Sequence, residues 1–173
     1  MYDFGDKKAL FLDRDGIVNI DHGHVYKKED FEFVDGVFEL CEYFQSKNYL
    51  IFIITNQAGI AKGYYSEEDF SSLTDWMLNK FYQRGITIED IFYCPHHPDE
   101  ECLCRKPSPK MLFDIQDKYK ISLKKSILFG DKLSDIEAGE RAGIGELVLI
   151  KSNYQDEYDY SKLLDYIRKK ENN

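Results

Sequence analysis

Five short apolar runs punctuate this chain, at residues 9–12, 50–55, 91–93, 126–130 and 147–150, and none alternates apolar with polar residues. A strand with one wet face alternates; short unbroken runs rich in Ile, Phe and Leu suit strands buried on both faces of a parallel sheet. Parallel neighbours need crossover connections, and amphipathic stretches lie between the runs. Residues 37–47 carry Val37, Leu40, Cys41 and Phe44 at helical spacing. Ser66, followed by Glu67, Glu68 and Asp69, reads as the N-cap of a helix reaching about Arg84, with Gly85 as its C-terminal cap. Ser108-Pro109 opens another helix with Pro at the first helical position. Helices over 131–142 and 160–170 complete the set. The pattern predicts an α/β fold with a three-layer, Rossmann-like parallel sheet in a single domain over residues 1–173.

Ligands of such sheets sit at the carboxyl ends of the strands. The first strand ends in Asp13-Arg14-Asp15-Gly16, two like charges two residues apart. Acids that close raise each other's pKa, so something must offset their repulsion. The second strand ends in Thr55-Asn56-Gln57, whose hydroxyl and amides can donate to an anion. The fourth ends in Gly130-Asp131, with Asp135 four residues on, and Arg105-Lys106 precedes the helix opened by Ser108. Each feature alone has an ordinary reading: an exposed acidic turn, a polar loop, acids at a helix N-terminus, a surface basic pair. Two acidic strand ends on one sheet edge, with cations nearby, point instead to Mg²⁺ and phosphate. Asp13 would attack phosphorus, Asp15 would act as acid and then base, Mg²⁺ would bridge Asp13, phosphate and Asp131, and Lys106 with Thr55 would take the remaining oxygens.

The net charge of −9 argues against general nucleic-acid binding. No apolar run approaches the roughly 18–20 residues of a membrane span, and the N-terminus lacks a signal-peptide pattern. A cytoplasmic monomer acting on a small molecule, without nucleic-acid or membrane partners, is expected. Three of the four cysteines fall within YCPHHPDEECLCRKP, residues 93–107. Cys94, His96, Cys102 and Cys104 make a closed set for tetrahedral Zn²⁺, with His97 as the competing imidazole; free thiols beside an incidental histidine are the alternative. Cys41 belongs to the core.

In order along the chain, D-x-D-G, a strand-end Thr, a downstream Lys and G-D-x-x-x-D resemble the haloacid dehalogenase superfamily of phosphatases. The stretches DRDGIVN, DHGHV, FEFVDGV, TNQAGIAKG, YCPHHP, CLCRKPSPKM and GDKLSDIEAG further resemble the D-glycero-D-manno-heptose 1,7-bisphosphate 7-phosphatases along nearly the whole length. Histidinol-phosphate phosphatases are close cousins with the same zinc loop. The resemblance implies a Mg²⁺-dependent phosphatase with no separate cap domain, removing the 7-phosphate through an aspartyl-phosphate, in heptose biosynthesis for lipopolysaccharide or surface glycans. It implies Mg²⁺ on Asp13, Asp131 and the backbone carbonyl of Asp15, with Lys132 and Asp135 behind these ligands. It implies that Asp21, His22, Gly23 and His24 line the substrate site, that Thr55, Asn56, Gln57 and Ala58 hold the transferred phosphate, and that Arg105 recognises substrate while Lys106 stabilises the phosphoryl group. It favours His96 over His97 as zinc ligand. Ala58 stands where these enzymes often have Ser, and His24 where Tyr is common. The histidinol-phosphate alternative would need an acidic wall for an amine, for which Asp21 and the acids at 99–101 are candidates. A zinc-stabilised binding module with a decayed site is disfavoured by the intact motifs.

Overall fold

A computed structural model describes residues 5–150 and 161–173. Five parallel strands, β1 (Lys8–Leu12), β2 (Tyr49–Asn56), β3 (Asp90–Cys94), β4 (Ile127–Gly130) and β5 (Glu146–Leu149), form one sheet in the order β3-β2-β1-β4-β5. The helices are α1 (Val37–Ser46), α2 (Ala58–Ala61), α3 (Glu67–Tyr82), α4 (Lys110–Tyr119), α5 (Leu133–Ala142) and α6 (Ser161–Glu171). The doubly wound order starts in the middle: β1 has β2 on one side and β4 on the other, so Leu12 is paired with both Ile53 and Phe129. The ends of β1, β2 and β4 are thereby brought side by side, and the crevice where the strand order reverses lies over them.

The unbroken apolar runs hide a period of two. Leu10, Leu12, Ile51, Ile53, Ile127 and Phe129 face one core with Leu40 and Phe44 of α1, Met77 and Phe81 of α3, and Leu163 of α6. Ala9, Phe11, Phe52, Ile54 and Leu128 face the other with Met111, Leu112 and Ile115 of α4 and Ala138 of α5. Both faces of each central strand are therefore apolar, which is what a three-layer sandwich requires. Cys41 is fully buried in the first core, and burial pushes its thiol pKa upward. Among the described residues no helix is long and apolar enough to cross a membrane.

Several boundaries differ from expectation. The expectation of burial on both faces fails for most of β3 and all of β5, which are half-buried. They are the edge strands, and only one flank of each meets a neighbour. The capping box forms as the sequence predicts: Asp69 N–H donates to Ser66 Oγ at 3.0 Å, and Ser66 N–H donates to Asp69 Oδ2 at 2.9 Å. The helix ends earlier, with Gln83 as C-cap; Gly85 sits two residues beyond at φ +75°. Pro109 is the N-cap of α4 rather than its first residue, and α5 starts at Leu133, so Asp131 lies before the helix. Nothing in the sequence pattern announces the short α2. The predicted start of the last helix at residue 160, like the rest of 151–160, lies outside the described residues.

Candidate active site and metal centres

The turn after β1 is wound by one carbonyl: Arg14 O accepts from Val18 N–H at 2.8 Å and Asn19 N–H at 3.1 Å. Gly16 sits inside it at φ +98°, and a Cβ there would run into the Asp131 carboxylate, so only glycine lets the two strand ends meet. Asp13 and Asp15 leave this turn in different directions. Asp13 Oδ1 accepts from Arg14 N–H at 2.9 Å and from Lys106 Nζ at 2.8 Å. Lys106, itself 4% exposed, spends its other protons on Asp135 Oδ1 at 2.6 Å and Ile54 O at 3.0 Å. Burial opposes its charge, but Asp13 and Asp135 outweigh that and hold it firmly protonated.

Acidic oxygens of Asp13, Asp131 and Asp135 lie within 4.8 Å of one another. Burial drives the Asp13 carboxyl well above the usual range, with Asp135 and Asp131 adding to the shift against the pull of Lys106. Burial likewise pushes Asp131 up to about 6. Three carboxylates thus gather against two ammonium groups, Lys106 between Asp13 and Asp135 and Lys132 acting on Asp131, so the cluster is short of positive charge. Asp131 Oδ1 is buried with no hydrogen-bond partner, whereas Asp135 Oδ2 accepts from Lys132 N–H at 3.1 Å. An orphaned oxygen in an acid-rich, dry corner fits a hard dication such as Mg²⁺.

Asp15 contradicts the expectation that neighbouring acids raise each other. Burial pushes its carboxyl upward, but the Arg14 guanidinium and hydrogen bonds from Arg14, Asn19 and Gln57 outweigh that and hold it below the usual range. The residue between the two acids is the reason. Arg14 is 2% exposed, reaches Asp15 Oδ1 through Nε at 3.3 Å and Nη2 at 2.9 Å, and is pinned by Val25 O at 2.7 Å. Asp15 is therefore ionised before substrate arrives, not protonated. Asn19 Nδ2 adds a further donor to Oδ1 at 3.0 Å, and Gln57 Nε2 donates to Oδ2 at 3.1 Å.

Thr55 Oγ1 accepts from Gln57 Nε2 at 2.8 Å and turns its own proton to Asn56 O in a long contact of 3.5 Å. The Asn56 amide is engaged elsewhere, accepting from Lys106 N–H at 3.0 Å and donating to Lys106 O at 3.2 Å. This amide clamp ties the exit of the cysteine loop to the end of β2, so the Asn56 side chain braces Lys106. Asp13, Asp15, Asp21, Gly23, His24, Asn56, Gln57, Ala58, Arg105, Lys106, Lys132 and Asp135 surround one cavity of 260 Å³. Of the expected site residues, His22, Thr55 and Asp131 do not line it: the His22 ring is turned to Glu32 at 3.3 Å on a neighbouring groove, and Thr55 is buried at 1% exposed. Arg105 Nη1 is buried without a partner, and Asp21 lies 3.5 Å from Lys132 Nζ. Lys62, Tyr65, Pro98 and Ser134 also line the cavity. They carry no strand-end signal, and only folding α2 and the cysteine loop over the sheet edge brings Lys62, Tyr65 and Pro98 there.

The cysteine loop closes on itself. His96 Nδ1 lies 3.4 Å from Cys94 Sγ and 3.2 Å from Cys104 Sγ, and Cys94 Sγ lies 3.6 Å from Cys102 Sγ. All four ligand atoms fall within 4.8 Å of one another. Zn–S bonds of about 2.3 Å and a Zn–N bond of about 2.0–2.1 Å imply tetrahedral edges of roughly 3.5–3.8 Å, so the set fits zinc. His97 points elsewhere, its Nδ1 accepting from Asp99 N–H at 3.1 Å.

Comparison with known proteins agrees with this geometry. Residues 103–167 match a family model described as HAD-hyrolase-like. The chain is 54% identical to a D-glycero-alpha-D-manno-heptose-1,7-bisphosphate 7-phosphatase of Campylobacter jejuni, over 86% of each chain. It is 45% identical to the corresponding beta-named phosphatase of Vibrio cholerae, over 84% of this chain and 82% of the relative. Among solved structures, D,D-heptose 1,7-bisphosphate phosphatase from B. bronchiseptica, complexed with magnesium and phosphate, superposes with a TM-score of 0.78 at 31% identity, covering 92% of this chain and 86% of that one. At these identities and coverages the chain belongs to the D-glycero-D-manno-heptose 1,7-bisphosphate 7-phosphatase family of HAD-like hydrolases.

Proposed function

We propose that this chain is a Mg²⁺-dependent phosphatase that hydrolyses the 7-phosphate of D-glycero-D-manno-heptose 1,7-bisphosphate. The observation that carries the reading is the buried Asp13–Lys106–Asp135 array with the orphaned Asp131 oxygen beside it. Mg²⁺ held by Asp13, Asp131 and the Asp15 carbonyl would neutralise charge between the nucleophile and a phosphate oxygen. Lys132 and Asp135 stand behind those ligands. Asp13 attacks phosphorus as the ester P–O bond breaks, leaving an aspartyl-phosphate. Asp15 gives its proton to the departing sugar oxygen, then takes one from the water that cleaves the acyl phosphate. A bound phosphate group supplies the proton bias that free Asp15 lacks, because a like charge beside it favours the protonated acid. Thr55 and Lys106 take the remaining phosphate oxygens, and Arg105 recognises the substrate beyond them.

A cavity of 260 Å³ is small for a ligand cleft, commonly about 300–1,000 Å³, and suits a sugar phosphate better than a phosphoprotein. An amine substrate would want an acidic wall. Asp21 is offset by Lys132, and Asp99 is exposed beside His97, which disfavours histidinol phosphate. Structural Zn²⁺ on Cys94, His96, Cys102 and Cys104 would close all four positions and fix the loop that delivers Arg105 and Lys106. Unpaired thiols gathered at that site favour a reducing, cytoplasmic setting. We read residues 1–173 as one domain and the protein as a monomer, which sedimentation measures directly. The deciding assay is Mg²⁺-dependent phosphate release from the α and β anomers, with histidinol phosphate alongside and Asp13→Asn as control. Release from a heptose anomer that vanishes in the control supports the reading; release from histidinol phosphate alone overturns it.

A further inference from the structure

Tyr65 belongs to no motif and lies beyond hydrogen-bond reach of the strand ends except through one intermediary. Its hydroxyl donates to Gln57 Oε1. A carboxamide has one acceptor oxygen and two N–H donors, so committing the oxygen to Tyr65 sends both donors the other way. They go to Asp15 Oδ2 at 3.1 Å and Thr55 Oγ1 at 2.8 Å. The reversed amide would set its oxygen against the Asp15 carboxylate and is excluded by repulsion.

The two oxygens of Asp15 are then unequal. Oδ1 accepts from Arg14 Nε, Arg14 Nη2 and Asn19 Nδ2 and has no lone pair left for a proton. Oδ2 accepts only from Gln57 among these neighbours. A proton exchanged with the sugar oxygen must ride on Oδ2, and its direction is set by where Gln57 occupies the other lone pair. Tyr65 is itself held rigidly. It is 6% exposed, its ring stacks on Tyr26 at 5.3 Å and 11°, and a side chain at Gly59 would collide with it. Burial pushes its hydroxyl pKa up to about 12, so it remains a donor.

We infer that Tyr65 is a positioning residue for proton transfer: through Gln57 it aims Asp15 Oδ2 at the leaving oxygen. The inference rests on the phosphatase reading above. Its signature is dependence on the leaving group. An alkyl phosphate needs the proton; p-nitrophenyl phosphate, whose phenolate departs without one, does not.

The test compares wild type, Tyr65→Phe, Gln57→Met and the double variant on heptose bisphosphate and p-nitrophenyl phosphate, with Asp13→Asn and Asp15→Asn as controls. General acids contribute about 10²–10⁴-fold, so the mis-aimed one in Tyr65→Phe should forfeit on the order of tenfold in kcat on the sugar and under about twofold on the aryl ester. Because Tyr65 acts through Gln57, the double variant should be no slower than Gln57→Met alone. Equal losses on both substrates, or additive losses in the double variant, would overturn the inference. Should Tyr65→Phe fail to fold, an equal loss on both esters in Gln57→Met would do the same. Sugar turnover surviving Asp13→Asn would instead refute the aspartyl-phosphate mechanism on which the inference rests.

Discussion

Two single residues let the acidic strand ends coexist. Gly16 at φ +98° gives up a side chain so that the turn can lie against Asp131. Placing Ala there demands a left-handed conformation, costing about 1–3 kcal/mol, and pushes on the carboxylate. Gly16→Ala should lower the melting temperature by roughly 2–4 °C per kcal/mol for a chain of this size and weaken Mg²⁺ binding together. Thermal melts and a Mg²⁺ titration check both, and an unchanged Mg²⁺ midpoint would dissociate the turn from the metal corner. Arg14 is the second residue. Its buried pairing with Asp15 gives a carboxyl held below its ordinary value. That stability is present above the unfolded pKa near 4 and is lost as pH falls through the folded value. Arg14→Met leaves a buried carboxylate without its cation and should cost about 3–5 kcal/mol near neutrality, much less in acid. Denaturant melts across pH measure the difference. The sequence displays Asp13, Asp15 and Asp131 because strand-end acids are rare and conspicuous. It conceals Arg14, since one cation between two acids reads as surface until burial is known.

At the scale of elements, the join between the cysteine loop and β2 decides how Lys106 reaches the site. The loop has little apolar content of its own, and Leu103 is 77% exposed. It is fastened instead by backbone bonds from Gln57 N–H to Cys94 O at 2.7 Å and Ala61 N–H to Pro95 O at 3.2 Å, and by the Asn56 clamp on Lys106. Asn56→Leu removes the clamp and strands two polar groups of Lys106, so kcat should fall on the order of tenfold while zinc content, measured by metal analysis, stays at one per chain. Cys102→Ser should lose zinc and activity together. Full activity in zinc-free protein would separate loop from catalysis. The strands and long helices were legible because burial on two faces and capping chemistry act locally. The short α2, the clamp and the orientation of His22 were not, because each depends on what lies across the loop in space. Thr55-Asn56-Gln57 shows the limit: three neighbouring polar residues look alike in sequence, yet Thr55 is buried under the Gln57 amide, Asn56 braces Lys106 and Gln57 donates to Asp15.

The whole molecule is built so that its charge balance closes only with a cation in the switch-point crevice. Three carboxylates from β1 and the β4–α5 junction gather in one cluster, Asp13 and Asp135 on Lys106 and Asp131 beside Lys132, and the overall charge of −9 adds an unfavourable background. Burial raises the Asp131 carboxyl to about 6. In the metal-free chain such a group contributes stability below its unfolded pKa, and that contribution disappears as pH rises through about 6. Mg²⁺ binds the deprotonated form, so at about pH 5 it must first displace a proton, weakening its apparent affinity roughly tenfold relative to about pH 7.5. Under non-limiting metal this difference is about 1.4 kcal/mol of ligand-linked stability. For a chain of this length that corresponds to a Mg²⁺-induced rise in melting temperature about 3–6 °C larger at the higher pH. Parallel melts with and without Mg²⁺ at the two pH values read it directly. Asp131→Asn should remove most of the Mg²⁺ effect and the part of its pH dependence that belongs to Asp131, leaving the part that the raised Asp13 carboxyl contributes. Equal shifts at both pH values in the wild type would mean that the cation does not compete with a proton on Asp131, and that its orphaned oxygen is not a ligand.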